Sequence, residues 1–567
     1  MTKRIILISL FSAISLSGGD VSMAAENATH WGFWTIVPPL AAIILAFITK
    51  NVIASLFIGI FSGAYIISLN EHSLFSSFFH AFLKLTQEAQ SAIADTWNAG
   101  VLLQTLTIGG LIALVSKMGG AKAIAEALAK RAKSPRTAQI YTWMMGIFIF
   151  FDDYANTLTV GPIMRPVTDK MKISRERLSF IIDATAAPIA GIALISTWVG
   201  YEIGLIRDAY SIIDTPVNPY AAFVATIPYL YYNIFMLVFV FASAWHLREF
   251  GPMYAAEKRA RLEGKLYRDG ANLMSDIDSQ GLDPESATTL RISNAVIPIL
   301  TLIFGAFIGL FYDGYRTILN GENLQLAEQI QMAPFAFASI RASFSNGNAS
   351  IVLFQAALLG SIVAISMGII QKIFTIEEAL KVWLAGAKML LITAVILTLA
   401  WSLSGIVKEL GTATWLISTL GASIPPYLLS TIIFILGAVI SFATGTSYGT
   451  MGILMPLAIP MAYALNPDPL FMSINIGAVL TGAIFGDHCS PISDTTILSS
   501  MGASCDHIDH TRTQIFYAVT IALIAILFGH LPLNLGVPGW LVLLLGFVLV
   551  FFLPRIFGKS VDMKMIE

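Results

Sequence analysis

The run Gly486-Asp487-His488-Cys489-Ser490-Pro491-Ile492-Ser493-Asp494-Thr495-Thr496 sets two carboxylates, an imidazole, a thiol and four hydroxyls inside an otherwise apolar stretch. It follows Gly477 to Phe485, which reads as half of a membrane helix, and leads into Ile497 and Leu498. Gly486 and Pro491 break the helix and free main-chain carbonyls and amides. Backbone of that kind survives at membrane depth only inside protein or beside a water-filled cavity. Ionisable groups there are costly and mark ion or proton pathways. Carboxylate, hydroxyl and carbonyl oxygens suit a hard monovalent cation such as Na⁺. Desolvation favours the neutral acid and a bound cation favours the carboxylate anion, so one aspartate holds either H⁺ or Na⁺. Competition between the two is the minimal chemistry of an exchanger.

Three more polar patches interrupt apolar runs. The expected ion-binding set takes Asp152, Asp153, Asn156 and Thr157 from the first, and Asp183 and Thr185 from the second, which ends at Pro188. It takes Thr444, Thr446 and Ser447 from the third, and Asp487, His488, Ser490, Ser493, Asp494 and Thr495 from the opening run. Na⁺ is expected at Asp487, Asp183 and Asn156, with Asp487 favoured because it falls in the break itself. His488 reads equally as a group titrating near neutrality and as a packing hydrogen-bonder. For Asp152 and Asp153 the plainer alternative is capping of a hairpin.

The elements that hold these patches follow from composition. The 567 residues are 56% hydrophobic and 12% charged, against about 25% charged in soluble domains. The apolar runs are helical in length, roughly 17 to 25 residues, without the alternation of a barrel. The fold class is therefore an all-α polytopic membrane protein, with about eleven transmembrane segments. A net charge of -2 identifies no partner, and two cysteines, Cys489 and Cys505, make no disulfide framework. Residues 1–24 resemble a secretory signal peptide, Lys3 and Arg4 preceding Ile5 to Leu16, with cleavage near Ala24 or retention as an extra helix.

Basic residues orient the chain. Lys117, Lys122, Lys130, Arg131, Lys133 and Arg136 precede Ala138 to Met164, the apolar part of the segment 138–168, and Arg165, Lys170, Lys172, Arg175 and Arg177 follow that apolar part. Both ends lie inside, so the segment is a re-entrant hairpin with its tip at Phe151 to Thr157. A first repeat, 31–245, is joined by a cytoplasmic connection, 246–291, to a second repeat of inverted topology, 292–532. The second carries its own hairpin, 428–465, entering from outside around Ala443 to Thr450, and 533–567 add a helix and a tail. Asn70 to Asn98 is amphipathic and placed at the outer interface. Gly119 matches Gly411, Phe151, Thr159, Gly161 and Met164 match Phe442, Thr450, Gly452 and Met455, and Pro188 matches Pro491. Inverted repeats with broken helices bring such patches together near the midplane, where helix ends and free carbonyls meet an ion. Pro334 to Ser350 is left without a place.

The strings FDDYANTLTVGPIMRPVTDK (151–170), RERLSFIIDATAAPIAGIALISTW (175–198) and GDHCSPISDTT (486–496) resemble the NhaC family of bacterial Na⁺/H⁺ antiporters, within the wider ion-transporter superfamily. The resemblance covers nearly all the chain beyond its N-terminal segment. It implies a secondary active transporter that exchanges Na⁺ for H⁺ across the bacterial inner membrane by an elevator-like shift of the hairpin-bearing domain. It also implies a functional set of Asp152, Asp153, Asn156, Asp183, Asp487, His488, Ser490, Ser493, Asp494 and Thr495. The family includes carriers of small carboxylates or amino acids, so the alternative is Na⁺- or H⁺-coupled movement of such a solute. Arg341 with Asn346 and Asn348, or Arg207 with Asp208, are its candidate contacts; a structural ion pair or an interfacial anchor is the plainer reading of each. A membrane metalloenzyme using Cys505, His507 and His510 and a passive channel are weaker readings. The expectation is thus a non-enzyme without cofactor, with Na⁺, H⁺ and the lipid bilayer as partners, no nucleic acid, and a homodimer as an open arrangement.

Overall fold

The computed structural model describes residues 20–49, 51–274, 289–321, 323–420 and 425–561. Most of the expected signal segment, 1–19, and part of the expected connection, 275–288, lie outside them. Four helices open the described chain: α1 (Asp20–Trp31), α2 (Val37–Thr49), α3 (Val52–Ser68) and α4 (Leu74–Ala94). A first set follows, with α5 (Thr96–Lys117), α6 (Gly120–Ala129), α7 (Pro135–Phe148), α8 (Asp153–Lys170), α9 (Arg175–Asp183), α10 (Ala187–Ala190) and α11 (Thr197–Ile212). Then come α12 (Pro219–Thr226), α13 (Tyr231–His246), β1 (Arg248–Glu249), α14 (Gly251–Glu263), α15 (Ser293–Leu319), α16 (Leu324–Met332), α17 (Phe337–Asn346), α18 (Ala349–Ile370) and α19 (Ile376–Met389). The second set is α20 (Leu391–Glu409), α21 (Thr412–Leu420), α22 (Pro426–Thr444), α23 (Ser447–Leu465), α24 (Pro469–Cys489), α25 (Asp494–Ala503) and α26 (His507–Ala525). The chain closes with α27 (Leu531–Asn534), α28 (Gly539–Phe557) and β2 (Lys559–Ser560), which pairs antiparallel with β1.

Among the described residues 10 helices are long and apolar enough to cross a membrane, or up to 11 with α12 and α13, bent by 48°, taken as one span. The chain is an all-α polytopic membrane protein of two inverted-topology repeats with re-entrant hairpins and broken helices. Each repeat runs a long helix, a left-handed glycine, a short helix, a hairpin and a broken helix. The glycines are Gly119 and Gly411, both at φ 70°, a conformation that costs glycine nothing and other residues a steric clash.

The internal prolines correct the expected register. Pro162 and Pro166 in α8, and Pro456 and Pro460 in α23, are the tenth and fourteenth residues of their helices. Asp153 therefore pairs with Ser447 and Asn156 with Thr450, whereas the sequence matched Thr159 to Thr450. The error is three residues, close to one helical turn, so it preserved the face and escaped notice.

Glycines let the broken helices approach their hairpins. A Cβ on Gly486 would stand 2.1 Å from the Ala438 carbonyl oxygen, and one on Gly482 2.5 Å from that of Phe434, so α24 lies backbone to backbone on α22. Gly161 of α8 meets Gly502 of α25 in the same way, its Cβ position 2.6 Å from the Gly502 carbonyl carbon.

Three other expectations change. The connection after His246 is a packed piece, because α14 buries Glu257 and Arg261 against the bundle. The unplaced stretch contains α17, packed on α15 where a Cβ on Gly314 would collide with the Ser343 carbonyl oxygen at 1.7 Å. The apolar run from Leu384 to Ser404, which reads in the sequence as one outward span, straddles the joint between α19 and α20 at Leu390.

Candidate functional site

In the second repeat α24 continues through Asp487 and His488 to Cys489, and α25 starts at Asp494. Asp487 thus sits on the last helical turn, not in the break as expected. The helix stops where Ser490 takes an extended conformation, φ -79° and ψ 129°, because a residue before proline is sterically pushed out of the helical region. Ser490 Oγ donates to the Phe442 carbonyl at 2.8 Å, which ties the break to the end of α22. Ser493 caps α25 by accepting from the Thr496 amide, and its hydroxyl lies 3.0 Å from that of Thr495.

Hairpin tips and helix breaks meet. Gly445 turns the α22–α23 tip at φ 67°, and its Cβ position lies 2.6 Å from the Ile492 carbonyl oxygen. Ser447 Oγ, opening α23, donates to Asp487 Oδ2 at 2.9 Å. In the first repeat, Asn156 Nδ2 donates to the carbonyls of Gly146 and Thr185, each at 2.8 Å, which fastens the tip to the turn after Asp183.

Two contacts bridge the repeats. Asp183 Oδ2 accepts from Thr496 Oγ1 at 3.0 Å and from Gln514 Nε2 at 2.6 Å. Tyr154, beside the first tip, donates its hydroxyl to Asp494 Oδ2. Asp153 is electrostatically linked to Asp152 and Asp494, and Asp487 to Asp494 and Asp183. Five carboxylates from three separate patches therefore share one region, in which Asp152, Asp153, Asp183 and Asp487 are buried and Asp494 is exposed.

What these groups leave open matters most. Asp183 Oδ1, Asp487 Oδ1 and Asn156 Oδ1 are buried and accept no hydrogen bond. Among the described residues no lysine or arginine pairs with Asp153, Asp183, Asp487 or Asp494; the nearest cationic candidate is His510 Nε2, 3.9 Å from Asp183 Oδ2. Such an arrangement can accept a proton on carboxylate oxygen, or a cation between oxygens, in place of the missing counter-charge.

The remaining expected residues are placed as follows. Thr157, Thr185 and Thr444 donate their hydroxyls to carbonyls of their own helical turns, at 2.9, 2.7 and 2.9 Å, and Thr446 caps α23. The His488 ring turns away from the carboxylates, with Nδ1 2.6 Å from the Tyr232 hydroxyl and the Phe180 ring stacked 6.3 Å away. Its carbonyl faces inward and accepts from Gln514. Tyr154, Thr496 and Gln514 belong to the network and were not in the expected set. Tyr154 and Thr496 stood within the quoted patches, and Gln514 carried the signal of an amide inside an otherwise apolar membrane helix.

The rival sites dissolve into structure. His507 is hydrogen-bonded to Ser500 at 3.1 Å and to the Pro491 carbonyl at 2.6 Å, and His510 to Ser500 at 2.9 Å and Gln514 at 2.8 Å. Both imidazoles are spent, and among the described residues no three His, Cys, Asp or Glu side chains gather to hold a metal. Arg207 is paired with Asp95 at 2.7 Å. Asn346 bonds its own helix, and the Asn348 amide donates to Asp313.

A model of the Na⁺/H⁺ antiporter family matches residues 189–531, a stretch that contains the second hairpin, the second break and Gln514. The chain belongs to the Na⁺/H⁺ antiporter family. An uncharacterised protein of Haemophilus influenzae is 35% identical over 86% of this chain and 88% of its own length. The malate-2H⁺/Na⁺-lactate antiporter of Bacillus subtilis is 32% identical over 25% of each chain, and the Na⁺/H⁺ antiporter NhaC of Alkalihalophilus pseudofirmus 35% identical over 16% of this chain and 19% of its own. The crystal structure of the Alcanivorax borkumensis YdaH transporter shares the fold, with a TM-score of 0.51 and 14% identity over 82% of this chain and 90% of that one. Membership of this antiporter family makes the chain a multi-pass transporter of the bacterial inner membrane.

Proposed function

We propose that the chain exchanges Na⁺ for H⁺ by alternating access. One observation carries this reading: the buried aspartates Asp153, Asp183 and Asp487 pair with no lysine or arginine among the described residues, and Asp183, Asp487 and Asn156 each keep one oxygen without a partner. Those oxygens are the donor set for Na⁺ as cargo. With the cation absent, a proton on Asp487 or Asp183 removes the cost of an uncompensated buried charge. Ser447 steadies the outer oxygen of Asp487, and Gln514 and Thr496 orient Asp183, so that the oxygen left over points to the shared site. Cation and proton exclude one another there, and the tip-to-break contacts are the surfaces that would move as a unit between the two sides.

The test is proton flux in proteoliposomes driven by an imposed Na⁺ gradient, with the wild type and Asp487→Asn. Wild-type flux that disappears in the variant supports the reading. Unchanged flux in the variant moves the exchange site to Asp183 or Asp153, and absence of flux in the wild type removes Na⁺/H⁺ exchange altogether.

The local likeness to a malate-2H⁺/Na⁺-lactate antiporter favours a second reading, Na⁺- or H⁺-coupled transport of a small carboxylate or amino acid on the same fold. Uptake of radiolabelled malate, lactate or arginine without Na⁺-driven proton release would establish it instead.

A further inference from the structure

Glu202 lies outside the site described above, in the middle of α11, and is fully buried. Neither of its carboxylate oxygens has a hydrogen-bond partner. A carboxylate anion so placed forfeits its hydration with nothing in return, and the stable form in such surroundings is the neutral acid. An acid of this kind contributes nothing to packing that glutamine or leucine would not contribute better.

Its position gives it a use. Trp198 is four residues earlier on the same face of α11, and its ring lies 4.8 Å from that of Tyr448, the second residue of α23. Tyr448 is within electrostatic reach of both Glu202 and Asp153. Toward the other end of α11, Arg207, Asp208 and Ser211 line a cavity of about 230 Å³ together with Glu88, Asp95 and Trp401. Asp208 Oδ2 and Trp401 Nε1 in its wall have no partner. The step from Asp208 to Glu202 is six residues, about 9 Å along the helix. With the chain oriented by its basic residues, the connection from α11 to α12 is expected on the outer side.

We infer that Glu202 is a second proton-carrying site, on a route from the outer cavity to the aspartate cluster. Its carboxyl takes a proton relayed by water from the cavity and gives it, through an intervening water, to the Tyr448 hydroxyl as that hydroxyl passes its own proton by water to Asp153. One O–H bond is made for each one broken. Other titratable groups on the helices packed against α11 stand apart from this step. Lys408 is paired with Asp214 at 2.9 Å and Glu409 with Lys84 at 2.7 Å, Lys117 closes the far end of α5, Tyr463 the far end of α23, and Tyr220 on α12 donates to the Leu194 carbonyl.

The inference rests on the Na⁺/H⁺ reading, and the experiment separates the two. Full-length wild type, Glu202→Gln and Tyr448→Phe are reconstituted, and Na⁺-driven proton flux is compared with ²²Na⁺/Na⁺ exchange at equal pH on both sides. Loss of a proton-transferring side chain predicts a fall in proton flux of about a hundredfold, with Na⁺/Na⁺ exchange unchanged. A parallel fall in both fluxes in Glu202→Gln, or no fall in either, overturns the inference. Absence of Na⁺-driven flux in the wild type overturns the functional reading instead. A second measurement does not depend on cargo: the infrared carbonyl band of a neutral carboxylic acid, present in the wild type and missing in Glu202→Gln. Identical bands in the two proteins would also overturn the inference.

Discussion

The two ends of helix α9 carry buried charged residues with opposite fates. Arg177, near its start, is fully enclosed and paired with an opposite charge: its guanidinium lies 3.3 Å from Glu249 and donates to Gln139 at 2.9 Å and Ser243 at 2.8 Å. Around it, Arg261 meets Glu257 at 3.0 Å, and Arg259 meets Glu176 at 2.8 Å. Asp183, at the end of the same helix, has hydrogen-bond donors but no cationic partner and one oxygen to spare. Burial alone therefore does not mark a functional acid. The network at the basic end answers each charge with its opposite and holds β1, α9 and α14 together. Asp183 and Asp487 meet no lysine or arginine among the described residues, which suits a site that a mobile cation or a proton must complete.

The contrast can be broken first at Arg177. Replacing it with methionine leaves Glu249 buried beside other charges without its partner, and loss of one member of a buried pair costs about 3 to 5 kcal/mol. A fall of that size in the thermal stability of the purified protein is expected, and an unchanged melting temperature would show that the network is not structural.

The same network should be sensitive to pH. Burial pushes the Glu249 carboxyl up to about 7 from its ordinary 4.5, partly offset by Arg177. A raised value means that the folded protein binds the proton more tightly than the unfolded chain does. The associated stability is fully present below about 4.5 and lost as pH rises through about 7. At about 1.4 kcal/mol per pH unit that amounts to about 3 kcal/mol. Unfolding midpoints measured from pH 5 to pH 8 should decline, and Glu249→Gln should flatten the decline.

At the other end of α9 the expectation reverses. Asp183→Asn removes an uncompensated charge, so folding should change by less than about 1 kcal/mol while Na⁺-coupled flux falls about a hundredfold, equivalent to about 2.7 kcal/mol. Stability and transport falling together would erase the distinction drawn here.

The smallest effect is expected at the hairpin tip. Gly445→Ala places a Cβ at positive φ, 2.6 Å from the Ile492 carbonyl oxygen, costing about 1 to 2 kcal/mol. A several-fold rise in the Na⁺ concentration for half-maximal flux is the predicted readout, with the fold retained.

Much of this architecture was legible in the chain. Apolar runs of spanning length, the glycines at 119 and 411, and Pro188 and Pro491 act locally, so the helices and their breaks could be placed from sequence. Basic residues on both sides of 138–168 revealed the first hairpin. The position of Asp487 was misjudged by one turn, because the effect of Pro491 falls on the residue before it and leaves the preceding turn intact. The register between repeats slipped by three residues because faint identities recur at nearly the helical period.

The sequence by itself determined that acids and hydroxyls lie at kinks within lipid-spanning segments, since hydropathy and helix-breaking residues act over a few neighbours. Only the tertiary structure decided that Tyr154 reaches Asp494 and that Gln514 spans Asp183 and the His488 carbonyl. It alone decided that His488 turns into an aromatic pocket and which oxygens remain unpartnered. Most of those outcomes depend on pairs far apart in the chain, where the competition for donors and acceptors is settled by packing of whole helices and leaves no trace in local pattern.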